Sequence, residues 1–186
     1  MNPIFSAGVE VERVCRDASL RFCFIGGLAV QRWGRPRMTA DVDLTIITGW
    51  GGEEAFVDGL LAKLGGRFPD ARRFALEHRT LLLFASNGVP VDVALGAMPF
   101  EEHSVDRASA FEVSPGQALT TCSAEDLVVH KAFAARDKDW LDIEGIAQRQ
   151  GASLDQDLIW SELTPLLELR DDATIEPRLR RVLRAT

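Results

Sequence analysis

Cysteine is scarce in this chain, and long apolar runs are missing. The three cysteines, Cys15, Cys23 and Cys122, are odd in number, widely separated and form no CxxC pair. This spacing argues against a disulfide framework or a zinc site and predicts buried free thiols. No apolar segment approaches the roughly 20 residues that a membrane helix needs. The first residues also lack a basic segment followed by an apolar stretch, so we expect a soluble, cytoplasmic protein with no membrane partner.

Positive charge is in short supply as well. The chain has 21 Lys and Arg against 28 Asp and Glu, a formal net charge of -7. This balance disfavours a general nucleic-acid coat, because nonspecific binding to phosphates needs a basic surface. The segment 175–184 is an exception, with four arginines around an apolar stripe. A solvated helix face is the simpler interpretation of that segment, and contact with nucleic acid or a partner is the alternative.

The order of predicted elements indicates an α/β (α+β) fold, with a mixed β-sheet flanked by helices and a helical extension after it. Periodicity predicts helices over residues 7–20, 28–33, 53–64 and 99–107 and strands over 21–25, 41–47, 80–86 and 89–95. A third strand next to these is expected at 72–78, and a loop or extended connection at 108–122. We therefore expect a core domain at residues 1–118 and a helical extension at 119–186 that packs on it.

Two local signals fix parts of this outline. Asn87 and Gly88 separate two apolar strands and are the pair best suited to a two-residue hairpin turn, so these strands should be adjacent and antiparallel. Ser123, with Asp126 three residues later, predicts the start of a helix through a capping box.

Three aspartates interrupt strands that otherwise call for burial. Because side chains alternate along a strand, Asp41 and Asp43 share one face of "DVDLTII" while Val42 and Leu44 take the other. Asp92 interrupts "VPVDVAL" in the same way. An isolated carboxylate in such a strand is costly unless it is paired or binds a metal.

The choice between those two explanations depends on where the three side chains meet. Three converging carboxylates would repel one another unless a cation held them ionised, and Mg²⁺ is the natural candidate because it prefers carboxylate oxygens, water and phosphates. Alternatively, Arg35 or Arg37 pairs with one of the aspartates. Gly26-Gly27, at a strand-to-helix junction, could expose backbone N-H groups to phosphate oxygens or could serve only a tight turn.

Together these residues resemble the nucleotidyltransferase superfamily related to DNA polymerase beta. The resemblance rests on Gly26-Gly27, the 13-residue spacer 28–40, Asp41-x-Asp43 on a strand and Asp92 on a later one. It covers about residues 22–96 and implies a nucleotidyltransferase fold. It further implies that all three aspartates are catalytic, with two Mg²⁺ ions held by Asp41 and Asp43, and that Asp92 completes the metal site and acts as a base.

Within that superfamily the sequence looks closest to the minimal bacterial AbiEii/AbiGii toxin-type proteins. "RPRMTADVDL" is similar to their basic residue and Ser or Thr before the acidic pair, here Arg37 and Thr39. "EDLVVHKAFAARDKDWLDI" resembles their second motif. The resemblance implies that Gly26, Gly27, Arg37, Thr39 and Lys131 bind the nucleotide and that Asp139 or Asp142 supports the site.

The residues of that second motif allow other interpretations. Lys131 shares a helical face with Leu127 and Ala134, so it should point toward the protein body. Asp142 could instead form an ion pair with Lys138, four residues earlier, and Asp139 could be solvated. Many superfamily members carry Gly-Ser where this chain has Gly26-Gly27.

Three functions are compatible with the sequence. The first is Mg²⁺-dependent transfer of a nucleoside monophosphate from a nucleoside triphosphate to the hydroxyl of an RNA, protein or small molecule, within a toxin-antitoxin system that supplies a cognate partner. The second is a nucleotidyltransferase-like binding module that acts through a partner protein. The third is a protein whose acids are ordinary ion-pair partners, for which no magnesium-dependent nucleotide binding is expected.

Overall fold

The chain divides into two compact units. The computed structural model describes residues 2–170 and 172–184. We call residues 1–28 and 38–122 the sheet unit, and residues 29–37 and 123–186 the helical unit. The predicted boundary after residue 118 falls inside a strand of the sheet unit, Gln117–Thr121, and the division into independent domains stays a prediction.

One mixed seven-stranded sheet organises the sheet unit. Its strands are β1 (Phe22–Phe24), β2 (Val42–Ile47), β3 (Gly65–Gly66), β4 (Thr80–Phe84), β5 (Pro90–Gly96), β6 (Ser109–Ser114) and β7 (Gln117–Thr121), in the spatial order β3-β4-β5-β2-β1-β7-β6. β2 and β5 are parallel at the centre, β1 is antiparallel to β2, and β1 is parallel to β7. The predicted mixed α/β architecture is confirmed.

Helices accompany the strands along the chain. They are α1 (Pro3–Asp17), α2 (Gly26–Trp33), which runs from the sheet unit into the helical unit, α3 (Glu53–Leu61), α4 (Ala71–His78) and α5 (Pro99–Asp106). Helix α1 starts where Asn2 accepts a hydrogen bond from the Ile4 N-H and Pro3 occupies the first turn, where its missing N-H costs nothing. α1 packs beside β7, and α5 beside β2 and β1.

Alternation in the central strands decides what the sheet buries. In β2, Val42 and Leu44 are buried while Asp43 between them is only partly so, and β5 repeats this with Val91 and Val93 around Asp92. A fully buried aliphatic side chain contributes roughly 2 kcal/mol. The apolar face therefore fixes the register of both strands, and the aspartates must share the opposite face.

The predicted third strand at 72–78 is wrong. These residues form α4, in which Ala71 and Ala75 are buried one helical turn apart, and Arg79 ends the helix in the left-handed conformation at φ 52°. The strand that pairs with β4 is instead the glycine pair of β3, which has no side chains to produce an apolar pattern.

Both hairpins of the sheet differ in detail from the predictions. β4 and β5 are antiparallel as predicted, but their connection has three residues, 86–88, between the hydrogen-bonded Ala85 and Val89. Gly88 has φ +79°, whereas Asn87 does not adopt positive φ. Residues 108–122, predicted as a loop or extended connection, form the β6-β7 hairpin, which turns at Gly116 with φ +73°.

The helical unit consists mainly of α6 (Ala124–Ala134), α7 (Asp137–Gln150), α8 (Gln156–Leu167) and α9 (Ile175–Arg184). The predicted cap of α6 is confirmed, because Ser123 Oγ accepts the Asp126 N-H at 3.0 Å. α9 buries its apolar stripe, while Arg180 pairs with Glu176 and lies over the Trp160 ring. Over residues 2–170 and 172–184, no helix is both long and apolar enough to cross a membrane.

Candidate active site

The parallel pairing of β2 and β5 brings two of the predicted aspartates together. Asp43 and Asp92 are register partners across these strands, which lie about 4.8 Å apart in any sheet. Both are half-buried on the same face. Asp41 precedes β2 by one residue and is also half-buried. Asp92 therefore lies on the same face of the sheet as Asp43, and the roles of the three aspartates stay a prediction.

Gly26 permits a close approach of the backbone to Asp43. It starts α2 with φ +55°, a conformation that favours glycine, and a β-carbon there would lie only 2.6 Å from Asp43 Cγ. The Ile25 N-H donates to the Asp43 carbonyl at 3.0 Å. Any side chain at position 26 would displace the Asp43 carboxylate in this arrangement, so this glycine is needed for the packing against Asp43 as well as for the turn.

Gly27 and Thr39 share one space. A β-carbon at Gly27 would lie 2.6 Å from Thr39 Cβ, so a serine at position 27 cannot coexist with Thr39 in this arrangement. Thr39 Oγ1 donates to Asp41 Oδ1 at 2.8 Å. The hydroxyl group next to the acidic pair thus comes from position 39 in this chain.

Arg67, which the sequence did not reveal, binds the third aspartate. Arg67 Nη2 forms an ion pair with Asp92 Oδ1, and the Arg67 N-H donates to the carbonyl of Leu82 at 3.0 Å. Leu82 is the register partner of Asp92 on β4. Arg67 follows the two glycines of β3, so only the register of three strands, β3, β4 and β5, could have linked it to Asp92, and no local pattern does so.

The donor chemistry of the three aspartates suits a hard cation such as Mg²⁺, but their side chains do not form a closed metal cluster. Across the described ranges 2–170 and 172–184, no group of three His, Cys, Asp or Glu is placed to hold a metal ion. Asp41 is hydrogen-bonded to Thr39 and Asp92 is paired with Arg67. The backbone register brings Asp43 and Asp92 together, and the assignment of the three aspartates as metal ligands stays a prediction.

The helical unit contains a second group of charges, which we call the ionic cluster: Arg37, Lys131, Arg136, Asp139 and Asp142. Arg37 donates to Asp142 through two nitrogens at 2.7 and 2.8 Å. Lys131 Nζ lies 2.6 Å from Asp142 Oδ2 and 3.2 Å from Asp139 Oδ1. Arg136 Nε donates to Asp139 Oδ2 at 2.6 Å.

Burial and pairing set the protonation of the cluster. Asp139 is 0% and Asp142 4% exposed. Burial alone would raise the pKa of Asp139, but hydrogen bonds from Arg136 and the charge of Lys131 hold that pKa below its ordinary value. Burial likewise opposes ionisation of Asp142, and bonds from Arg37 and Lys131 lower its pKa. Both carboxylates are ionised at neutral pH.

Two alternatives that the sequence left open for this motif disagree with the contacts of the cluster. Asp139 is buried and not solvated, because Lys131 and Arg136 hold it. Asp142 pairs with Lys131 and Arg37 in place of Lys138. The prediction that Lys131 points into the protein body is confirmed, since it is only 4% exposed.

Each arginine before the acidic pair has a described partner in the helical unit, and pairing of either one with Asp41 or Asp43 stays a prediction. Arg37 binds Asp142, and Arg35 donates to the side chain of Gln148. Both contacts lie within the helical unit. The basic residue next to Asp92 is Arg67, from a different part of the chain.

Two solved structures resemble the whole chain. The crystal structure of an antigenic nucleotidyltransferase-like protein from Paracoccidioides brasiliensis has a TM-score of 0.59 and 16% identity, covering 100% of this chain and 94% of that one. The solution structure of the antibiotic-resistance factor ANT(2'')-Ia has a TM-score of 0.58 and 17% identity, covering 95% of this chain and 97% of that one. At these identities they establish the fold. No curated protein matches.

A family model decides the relationship. The model described as "Nucleotidyl transferase AbiEii toxin, Type IV TA system" matches residues 11–185, which is nearly the full length. The match includes the carboxylates of β2 and β5 and the whole ionic cluster. The chain therefore belongs to the AbiEii nucleotidyltransferase family.

Proposed function

We propose that the sheet unit carries the catalytic site for transferring a nucleoside monophosphate from a nucleoside triphosphate to an acceptor hydroxyl. The observation that carries this proposal is the register of β2 and β5, which makes Asp43 and Asp92 partners beside the backbone of Gly26. Half-buried carboxylates on a strand face that faces away from the apolar core are costly without a cation or a positive partner. Membership of a nucleotidyltransferase family supports the same reaction.

Asp41, Asp43 and Asp92 are the residues that would hold Mg²⁺, with two ions when the triphosphate is bound. The metal would neutralise the triphosphate and stabilise charge during displacement at phosphorus. Gly26 and Gly27, at the start of α2, offer N-H groups to phosphate oxygens. Thr39 would keep Asp41 oriented through the hydrogen bond at 2.8 Å.

The chemical step needs a proton acceptor as well as alignment. The acceptor hydroxyl oxygen forms a bond to the α-phosphorus, the bond from that phosphorus to the bridging oxygen breaks, and pyrophosphate leaves. Asp92 would take the proton of the attacking hydroxyl. Positioning provides most of the rate in such reactions, because the protein itself does little covalent chemistry.

For the helical unit we propose two roles. Asp139 and Asp142 support the site by holding Lys131 and Arg37 in fixed positions, as their hydrogen bonds suggest. Lys131 and Arg37 are proposed to contact the nucleotide. Lys131 would then keep its carboxylate partners, because a buried ammonium that loses them pays a large desolvation cost.

The acceptor and the biological partner follow from the family only in outline. An RNA, a protein or a small molecule can each present the attacking hydroxyl, and the type IV toxin-antitoxin description of the family supports a cognate antitoxin as partner. A second candidate, a binding module with little catalysis, is favoured by one observation: Asp92 is bound to Arg67, so the described side chains do not form a closed metal cluster.

Calorimetric titration tests the site first. Each nucleoside triphosphate is titrated with and without Mg²⁺ into the wild type and into Asp41→Ala/Asp43→Ala. The matched control is Asp70→Ala/Asp106→Ala, which removes two exposed acids of the sheet unit. Binding that requires Mg²⁺ and is lost only in the first variant is expected. Absence of binding by the wild type at millimolar concentration would contradict the proposed site.

Transfer of label then separates the enzyme from the binding module. α-Labelled triphosphate is incubated with the protein and with RNA, protein or aminoglycoside acceptors. Label that moves to one acceptor and requires Asp43 identifies an enzyme and its acceptor class. Nucleotide binding without transfer to any acceptor, even with a cognate partner present, would favour the binding module.

A further inference from the structure

Arg67 occupies a defined place on the sheet beside Asp92. Its backbone N-H is bonded to Leu82, and its guanidinium carbon lies 5.8 Å from the centre of the Phe84 ring. These two contacts with β4 bring the side chain across that strand to the carboxylate of Asp92 on β5. The ion pair is therefore built by the sheet and is not a chance encounter of two surface side chains.

The pair is also made in a way that allows it to open. The contact joins Nη2 to Oδ1, and the two side chains are 27% and 34% exposed. Arg67 Nε is buried without a hydrogen-bond partner, which is an unfavourable position for a donor. By contrast, Arg37 donates two hydrogen bonds to Asp142, and the Asp142 side chain is almost fully buried from solvent.

The same contact accounts for the incomplete metal cluster. The backbone register places Asp92 opposite Asp43, yet no three acids within the described residues are placed to hold an ion. A guanidinium on Asp92 supplies the positive charge that a cation would otherwise supply. Since two positive charges repel at short range, the guanidinium and a divalent ion cannot both neutralise this carboxylate without mutual cost.

We propose that Arg67 is a positioning residue that competes with the divalent cation for Asp92. In the metal-free protein Arg67 holds the third carboxylate, and binding of the cation draws Asp92 from Arg67 toward Asp43. The metal site is thus closed by exchange of partners. This inference rests on the proposed function, since it concerns the same carboxylates, and it makes a separate prediction about cation affinity.

Binding of Mn²⁺ alone tests the exchange without any turnover. Free Mn²⁺ is measured by electron paramagnetic resonance during titration of the full-length chain, without nucleotide. Arg67→Gln should bind Mn²⁺ about tenfold more tightly than the wild type, because the competing charge is gone. Arg67→Lys, which keeps the charge, should stay close to the wild type. An Arg67→Gln affinity equal to or weaker than that of the wild type would overturn the inference.

A double-mutant cycle ties the effect to Asp92. In the Asp92→Asn background the Arg67→Gln substitution should leave Mn²⁺ affinity unchanged, because the two groups act through one pair. A tenfold gain that persists in that background would show that Arg67 acts elsewhere and would overturn the proposal.

Combining the titrations with Asp41→Ala/Asp43→Ala separates the two proposals. If that variant loses Mn²⁺ while Arg67→Gln and wild type bind equally, the proposed site stands and the competition fails. If Mn²⁺ binds to Arg67→Gln but not to the wild type, the competition stands, and the ion pair between Arg67 and Asp92 blocks the wild-type site. If neither binds Mn²⁺ at millimolar concentration, both fail.

The wild type itself provides a readout that does not depend on how variants fold. The Nε-H signal of Arg67 in a ¹⁵N spectrum, assigned by its loss in Arg67→Lys or from backbone connectivity, reports rotation of the guanidinium. Saturating Mg²⁺ should speed that rotation and shift the signal. A signal unchanged at saturation would mean that the pair persists with metal bound, against the proposal.

Discussion

The acids of the two units differ in how they are held. In the sheet unit, Asp92 is 34% exposed and has a single nitrogen of Arg67 on one oxygen. In the helical unit, Asp142 is 4% exposed and is held by both Arg37 and Lys131. A buried charge needs oppositely charged partners, because removal of a partner leaves it desolvated and unpaired. Half-exposed charges can change partners, so the sheet acids are suited to binding and the helical acids to structure.

The same contrast explains why a short motif is an uncertain guide. Asp-x-Asp at the start of β2 and the aspartates of α7 look alike in sequence. Only the surroundings, an open strand face in one case and a buried helical face with two basic neighbours in the other, separate a candidate metal ligand from a structural anchor.

The largest expected effect tests whether the acids of the sheet unit serve binding. Asp43→Asn should lower nucleotidyl transfer by at least about 10³-fold, because a metal ligand is lost, while the melting temperature changes little. Steady-state transfer of labelled nucleotide and a thermal melt give both numbers. Asp70→Asn, an exposed acid of the same unit, serves as the control. A large loss of stability in Asp43→Asn would assign that acid to structure.

The next effect tests the helical side. Asp142→Asn should cost roughly 3 kcal/mol in the free energy of unfolding, because Lys131 is left buried without a full countercharge. Denaturant titration measures the change, and Asp137→Asn, an exposed acid in the first turn of the same helix, is the matched control. If Asp142→Asn abolishes activity at unchanged stability, the cluster is more than a structural anchor and the contrast fails.

The smallest effect is the pH dependence of stability that a histidine of the helical unit should cause. Burial lowers the pKa of His130 from 6.5 to about 4, against the attraction of Asp126 and with help from Lys131. Below pH 6.5 the imidazole of His130 is protonated in the unfolded chain but stays neutral in the folded chain. The free energy of unfolding should therefore fall as pH drops from 6.5 toward 4, by on the order of 2 kcal/mol. Thermal melts across this range measure the step, and His130→Gln should remove it.

A second loss should follow at lower pH. Asp139 and Asp142 have pKa values below 3.8 in the folded state, so their contribution is complete above that pH and disappears as pH falls further through the folded values. If the loss of stability between pH 6.5 and 4 persists in His130→Gln, a group other than His130 causes it.

Much of the fold was readable because local patterns were strong. The alternation in β2 and β5, the Ser123 cap and the antiparallel pair around Asn87-Gly88 all depend on neighbours in the chain. The candidate carboxylates were found for the same reason. The β4-β5 connection was one residue longer than predicted, since Ser86 joins it and the positive φ falls on Gly88 alone.

What the sequence did not reveal depends on contacts distant in the chain. β3 is a pair of glycines with no apolar pattern, so neither the strand nor the place of Arg67 beside Asp92 could be inferred. α4 was misassigned because seven residues with mixed polarity fit either period, and the burial of Ala71 and Ala75 settles it. The ionic cluster depends on the contact between Arg37 and Asp142, which are 105 positions apart, so no local pattern could predict it.

The shared space of Gly27 and Thr39 has a consequence for the history of the family. Two positions that compete for the volume of one side chain cannot vary independently. Lineages with serine at the position of Gly27 should carry a smaller residue at the position of Thr39, and those with glycine there should retain the hydroxyl at the other. The hydroxyl group next to the acidic pair would then come from one of these two positions in every lineage. A comparison of sequences at either position alone would not reveal it.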